Sequence, residues 1–511
     1  MQTLKRPILL PSRGIDVSVP SEFIDPLASP SLQNIEVNRG IIRKRAGSIA
    51  LGSSLGERIM GYAELVSGEI TSMLRFGTAS VQFLNKFDGT WSDVTGTPLT
   101  STSEDQMDFA YPILDGQRII VFTNGANPIR KFTGFGVTSN LGGNPPLCKF
   151  LVAYAGYLLA LYTTEDGNLY PARVRWSDTG NPEEWADGDY GIVDLVEDGE
   201  NITGASLFGS YIAIHKKSSI YLGYGVSTSE VFRFERKSTG VGTMAHGTIK
   251  NLPNGGQIFL ATDGLHIFDG STAPIISGRV SDELREDINA KYVQRSMGIV
   301  VRELDEYWLC VPMQDQVNPE TVYKYNYKTG DFFKDIRSNL TAISTYIDSD
   351  EQSWDSDPNP WDSDATRWDS VNLRELNDAV VFGDSSGNSL KRSISSKNDN
   401  TSLIDASFST KDFTSEDYGG DTGRMMRWTG IQLWAKGDFL TMSYSIDGGD
   451  TWSDGEIITL GTDYPSDDAP LNYWFDIVST RIRFRFQNSK LNEAFTIKKY
   501  FILSKMRESS L

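Results

Sequence analysis

At 511 residues the chain exceeds what one hydrophobic core usually organises, so two or three domains are expected. Its 39% hydrophobic and 23% charged residues describe a globular chain rather than a disordered or fibrous one. The 67 acidic against 48 basic residues leave a formal net charge of −19, which opposes the phosphate-neutralising balance of a nucleic-acid binder but not proximity to DNA.

The opening MQTLKRPILLPSRG has a basic pair but too few apolar residues before proline for a signal peptide, so assembly in the cytoplasm is expected. Residues 1–50 are expected to form an N-terminal arm and docking segment. Arg43-Lys44-Arg45 within it reads as a solvated turn rather than a DNA contact. Gly52-Ser53-Ser54-Leu55-Gly56 fits a nucleophile elbow, but the residues after it read as strand, not helix, so the match is taken as chance.

From residue 51 to about 400 one unit recurs: an apolar strand, a tight polar turn, a second apolar strand and a third. It is visible as GYAELVSGEITSMLRFG from Gly61, FAYPILDGQRIIVFTNG from Phe109 and FLVAYAGYLLALYT from Phe150. Later copies start at Ala205, Ile249, Ile299 and Asn372. The turns centre near Gly68, Gly116, Gly156, Gly209, Gly255, Asp305 and Asn377. A period of about 40–50 residues with several short strands per unit predicts a β-propeller. The last interval joins the rhythm once the biased stretch 353–370 is set aside.

The fold class expected is therefore all-β, a six- or seven-bladed propeller, with a large irregular sandwich as the alternative. Ile258, Leu260, Leu265, Ile267 and Phe268 belong to strands buried between blades. The best helix candidate, Ser281 to Lys291, is short.

Reactive chemistry is sparse along these units. Cys148 and Cys310 offer neither a disulfide framework nor metal-ligand spacing and read as small buried apolar residues. The apolar run Phe150 to Tyr162 is broken by Gly156 and falls short of the ~20 residues a membrane helix needs. Gly240-Val241-Gly242-Thr243-Met244-Ala245 imitates a dinucleotide fingerprint but leads into strand and turn. His215, His246 and His266 fall in separate blades and read as satisfied structural histidines, not a zinc site. No catalytic residue, metal or cofactor is expected.

In residues 353–370 Trp354, Trp361 and Trp368 recur at seven-residue intervals, each followed by Asp-Ser, while Pro358 and Pro360 forbid a helix. The three indoles are candidates for a subunit or fibre interface; a stack on their own chain is the competing reading. Calcium at Asp355, Asp357, Asp362 and Asp364 would lack the Gly and Glu of a known loop.

After the polar linker from Ser395, residues 403–511 are expected to form a separate β-sandwich, because the strands lengthen and alternate cleanly, as in Arg481-Ile482-Arg483-Phe484-Arg485-Phe486. Ser445, Asp447, Gly449, Thr451 and Trp452 make a complete Asp-box, the hairpin familiar from sialidases. Its expected role is structural: Asp caps the turn, glycines take positive φ and Trp packs beneath.

SPSLQNIEVNRGIIRKRAGS, KSTGVGTMAHGTIKNLPNGGQIFLATDGLHIFDG, RVRWSDTGNPEEW and the Asp-box hairpin followed by RIRFRFQ together resemble the tail nozzle family of short-tailed bacteriophages, also called tail accessory or packaged-DNA stabilisation proteins. The resemblance is spread over most of the chain. It implies a virion structural protein forming a homohexamer around a DNA exit channel. That hexamer would sit below the portal and adaptor, carry fibres or a needle or plug, and have no catalytic residues. DNA would pass without specific binding, repelled from an acidic lumen. The competing functions are a receptor- or carbohydrate-binding virion protein and a sialidase-like glycoside hydrolase.

Overall fold

The computed structural model describes residues 4–8, 10–67, 70–85, 89–227, 230–347 and 378–506. Among them, strands form seven small antiparallel sheets in sequence order, two larger ones and a two-stranded hairpin of Ile113–Leu114 with Gln117–Arg118. The first blade holds Gly61–Ser67, Ile70–Phe76, Val81–Asn85 and Thr90–Asp93. The second holds Asp108–Ala110, Ile120–Thr123, Arg130–Phe132 and Ser139–Asn140. The third begins at Leu147–Tyr154, the fourth at Ile202–Phe208, the fifth at Lys250–Asn251, the sixth at Met297–Val301 and the seventh at Leu340–Ile347. Six of the sheets have four strands and the fifth blade has three.

What makes these sheets a ring is that each seam between neighbours is filled with apolar side chains. Phe76 of the first blade meets Phe122 of the second at 4.9 Å between ring centres. Ile220 of the fourth blade and Phe259 of the fifth share a cluster in which both are fully buried. Trp308 of the sixth stacks on Phe382 of the seventh at 6.3 Å. The seam between seventh and first blades closes the circle with Val381, Met73 and Tyr62, whose hydroxyl donates to Phe382 O at 3.2 Å. The fold is thus a seven-bladed β-propeller. The turns anticipated at Gly116, Gly156, Gly209, Gly255 and Asp305 lie between the innermost and second strands of successive blades; those at Gly68 and Asn377 lie outside the described residues.

Residues 1–50 are not an independent arm. Gly47–Ala50 is the outermost strand of the seventh blade, pairing with Ser389–Ser393. Leu4–Ile8, Ile35–Asn38 and Ile41–Lys44 join one sheet of the C-terminal sandwich with Met426–Gly437, Leu471–Ser479 and Phe495–Met506. Leu32–Gln33 joins the other, with Ala406–Ser409, Phe413–Thr414, Phe439–Ser445, Glu456–Thr459 and Arg481–Asn488. The sandwich is therefore built from both ends of the chain. Ile482, Phe484 and Phe486 point into its core at 0% exposure. The arginine face of that strand is covered in part: Arg483 is buried and makes two hydrogen bonds to Asp412, at 2.8 and 2.9 Å. The helix expected over 281–291 ends at Glu286.

Between sandwich and propeller lies a buried charge cluster. Far from being a solvated turn, Arg45 is 2% exposed. Its guanidinium donates to Asn34 Oδ1, Ala46 O, Ile336 O and both oxygens of Asp399, at 2.5–3.1 Å. Arg337 adds a bond to Asp399 at 3.0 Å. Burial alone would raise the Glu36 carboxyl, but Lys324, Arg392 and Arg43 hold it at about 2. Burial opposes ionisation of Asp399 too, yet Arg337 and Arg45 keep it far below the ordinary carboxylate range. The expected linker from Ser395 is part of this junction through Asp399.

Removing one partner from such a cluster leaves the other charge buried and unpaired. Arg45→Met is therefore expected to cost about 3–5 kcal/mol in chemical denaturation, a large share of a typical fold's stability. Because Glu36 and Asp399 have folded-state values below their unfolded ones, the stability they contribute is present above pH ~4 and lost as pH falls through the folded values. Melting temperature measured against pH should drop on that acid limb.

The axial cavity as candidate functional site

The innermost strand of each blade is hydrogen-bonded on one side only. Its other edge carries backbone N–H and C=O groups without a ladder partner, and seven such edges surround the axis. They enclose a cavity of about 660 Å³, lined by Tyr62, Asp108, Leu151, Lys250 and Ser344 among others from all seven blades.

The cavity is crossed. Asp108 begins the inner strand of the second blade, and His246 lies just before the inner strand of the fifth, as far round as a seven-membered ring allows. Their side chains meet with Nε2 of His246 2.9 Å from Asp108 Oδ1. The Ala205 N–H donates to Nδ1 at 3.3 Å, which places the ring proton on Nε2, where it donates to the carboxylate. Asp108 also accepts from Phe109 N–H at 2.9 Å and Leu151 N–H at 2.8 Å. Both ring nitrogens of His246 are engaged, so the pair is a cross-brace between blades and not a free general base.

One mouth is strapped. Arg295, in the connection from fifth to sixth blade, donates to Ser103 O at 3.1 Å and Glu104 Oε1 at 2.7 Å in the connection from first to second. The Gln106 amide donates to Gln294 O. Arg295 and Arg58 both donate to Asn318 Oδ1, at 3.1 and 2.7 Å. Burial, then the neighbouring Arg295, pushes the Arg58 guanidinium down to about 10. Lys250 is half-buried on the wall.

Of the residues singled out in the sequence, His246 lines the cavity and the Asp-box lies in the sandwich. Trp354, Trp361 and Trp368 fall outside the described residues. The Asp-box forms the turn between Phe439–Ser445 and Glu456–Thr459 of the sandwich. Asp447 accepts from the Thr451 N–H at 3.0 Å, Ser445 Oγ donates to Asp447 at 2.7 Å, and the Gly449 N–H donates to Ser445 Oγ at 2.8 Å. Gly448 and Gly449 take φ of 85° and 101°, and Trp452 packs under Arg485 at 4.4 Å. The Thr451 hydroxyl, which also donates to Asp447, together with the Thr451 N–H and Ser445, holds the Asp447 carboxyl well below its usual range.

His215 bonds Gln257 at 2.7 Å and His266 bonds Asp263 at 2.8 Å. Among the described residues no group of three or more His, Cys, Asp or Glu could hold a metal ion. Both cysteines are buried, and burial pushes the Cys310 thiol up to about 12.

Sheet order and seams thus define a seven-bladed propeller joined to a sandwich. No family model matches the chain, and no curated protein does. Three solved structures align with it over most of its length. BamB from Moraxella catarrhalis is 9% identical at a TM-score of 0.35, covering 71% of this chain and 94% of its own. An exo-β-1,3-galactanase from Phanerochaete chrysosporium is 10% identical at 0.27, covering 89% and 100%. An extracellular domain assigned to a hybrid two-component system of B. thetaiotaomicron is 8% identical at 0.39, covering 84% and 48%. These scores are low, and the propeller assignment rests on the strand pairing.

Two substitutions check this geometry. Asp108→Ala strips the acceptor from two backbone N–H groups and His246, and is expected to cost about 1–3 kcal/mol in denaturant unfolding. Glu104→Ala, at an exposed position, should leave the unfolding midpoint unchanged while amide exchange over 101–107 accelerates.

Proposed function

We propose that this chain is a non-catalytic structural protein of a short-tailed phage tail, a nozzle subunit that retains packaged DNA and conducts it on ejection. The observation that supports this reading most is the crossed cavity. Asp108 and His246 bridge the second and fifth blades within it, and residues 103–106 bond to Gln294 and Arg295. A cavity of about 660 Å³ is too small to pass a duplex, so in this reading the conduit forms between copies around a common axis. The buried junction at Arg45 makes propeller and sandwich one stiff body, as a wall element requires. A net charge of −19 suits a wall that lets DNA slide without sticking. The portal-adaptor ring and tail fibres or a plug are the partners this role entails.

Electron microscopy of the purified chain, alone and with an adaptor ring, tests the proposal. The expected result is a ring of copies, a hexamer, around an acidic lumen. A monomer under both conditions, or a lumen dominated by Lys and Arg, would overturn it. Turnover of a fluorogenic glycoside would return the hydrolase reading in its place.

A further inference from the structure

The axial cavity has a chemistry that its bracing role does not use. Its wall has already selected carboxylates from within the chain: Asp108 occupies the N–H groups of Phe109 and Leu151. Beyond the cavity lining, at the end of the seventh blade's innermost strand, Glu64 accepts from the Ile347 N–H at 3.0 Å. Free strand edges around the axis thus act as carboxylate receivers, their outward N–H dipoles stabilising anionic oxygen.

In a chain of net charge −19, the cavity is lined by Arg58, Arg118, Lys250 and Arg295 against Glu104, Asp105 and Asp108. Most of these are spoken for. Arg295 pairs with Glu104, Asp105 accepts from Thr102 N–H at 2.6 Å, Asp108 serves His246 and two amides, and Arg118 lies over Tyr111 at 5.1 Å. The Lys250 ammonium has neither hydrogen bond nor ion pair among the described residues. Burial lowers its pKa, and Asp108 offsets this only in part. A half-buried cation that faces a confined cavity without a protein partner is a ready counter-ion for an anion.

We propose that the axial cavity binds a small carboxylate-bearing molecule, with Lys250 as its counter-ion and free inner-strand N–H groups as further donors. At about 660 Å³ the cavity has the size of an ordinary small-molecule site. The site belongs to the single propeller and goes beyond the nozzle reading, so it stands or falls without assembly in a tail.

Calorimetric titration of the purified chain with succinate and, separately, with inorganic phosphate tests it. Succinate should bind, Lys250→Met should weaken binding about tenfold or more, and Lys250→Arg should retain most of it. Affinity should also fall as pH rises through the lowered lysine pKa, because only the ammonium attracts the ligand. A second measurement avoids mutation: succinate should protect Lys250 from reductive methylation, read by peptide mass spectrometry.

The proposal is overturned if succinate shows no binding up to about 10 mM, or if Lys250→Met binds it as the parent does. It is also overturned if succinate leaves Lys250 methylation unchanged. Phosphate binding more tightly than succinate with the same Lys250 dependence would replace the carboxylate by a phosphate ligand.

Discussion

The architecture depends on a short N-terminal stretch that belongs to two bodies at once. Ile35–Asn38 and Ile41–Lys44 are sandwich strands, Gly47–Ala50 is a propeller strand, and Arg45 sits buried between them with its hydrogen bonds spread over both. Without Gly47–Ala50 the seventh blade has a bare edge, and without the earlier strands one sandwich sheet has another. Unpaired edges are unstable against pairing with other chains, so closing both with one segment makes ring and sandwich interdependent. The charge cluster around Glu36, Arg45, Arg337 and Asp399 fixes the angle between them. Such a cluster is weak as a source of net stability but strict about geometry, since any misplacement strands a charge.

The propeller was legible because its signal is local and repeated. Most blades pair two apolar strands across a short polar turn, so hairpins such as the one turning over Ala153–Tyr157 stand out along the chain. The Asp-box was legible for the same reason: Asp447, Gly449 and Thr451 complete their bonds within five residues.

What escaped is non-local. Arg43-Lys44-Arg45 looks like a solvated basic turn, yet Lys44 and Arg45 are 5% and 2% exposed because their partners, Asn488 and Asp399, arrive from the far end of the chain. Asp108 and His246 lie 138 positions apart, and nothing in the residues around either announces the other. A lone lysine such as Lys250 has no pattern at all until the ring closes around it. The pairing of Leu4–Ile8 with Phe495–Met506 is equally hidden, because five residues interrupted by proline carry little strand signal.

The late partner of Gly47–Ala50 sets a timetable for biosynthesis. Ser389–Ser393 is translated some hundreds of residues afterwards. At ribosomal speeds of about 5–20 residues per second, the first-made strands stay unmated for tens of seconds. Six blades can stack on one another as they emerge, but the latch that locks the circle exists only once the seventh is made. The sandwich waits longer still, for Phe495–Met506 near the carboxyl terminus. A nascent chain of this design spends most of its synthesis as an open arc, and chaperone occupancy should peak on its leading segment.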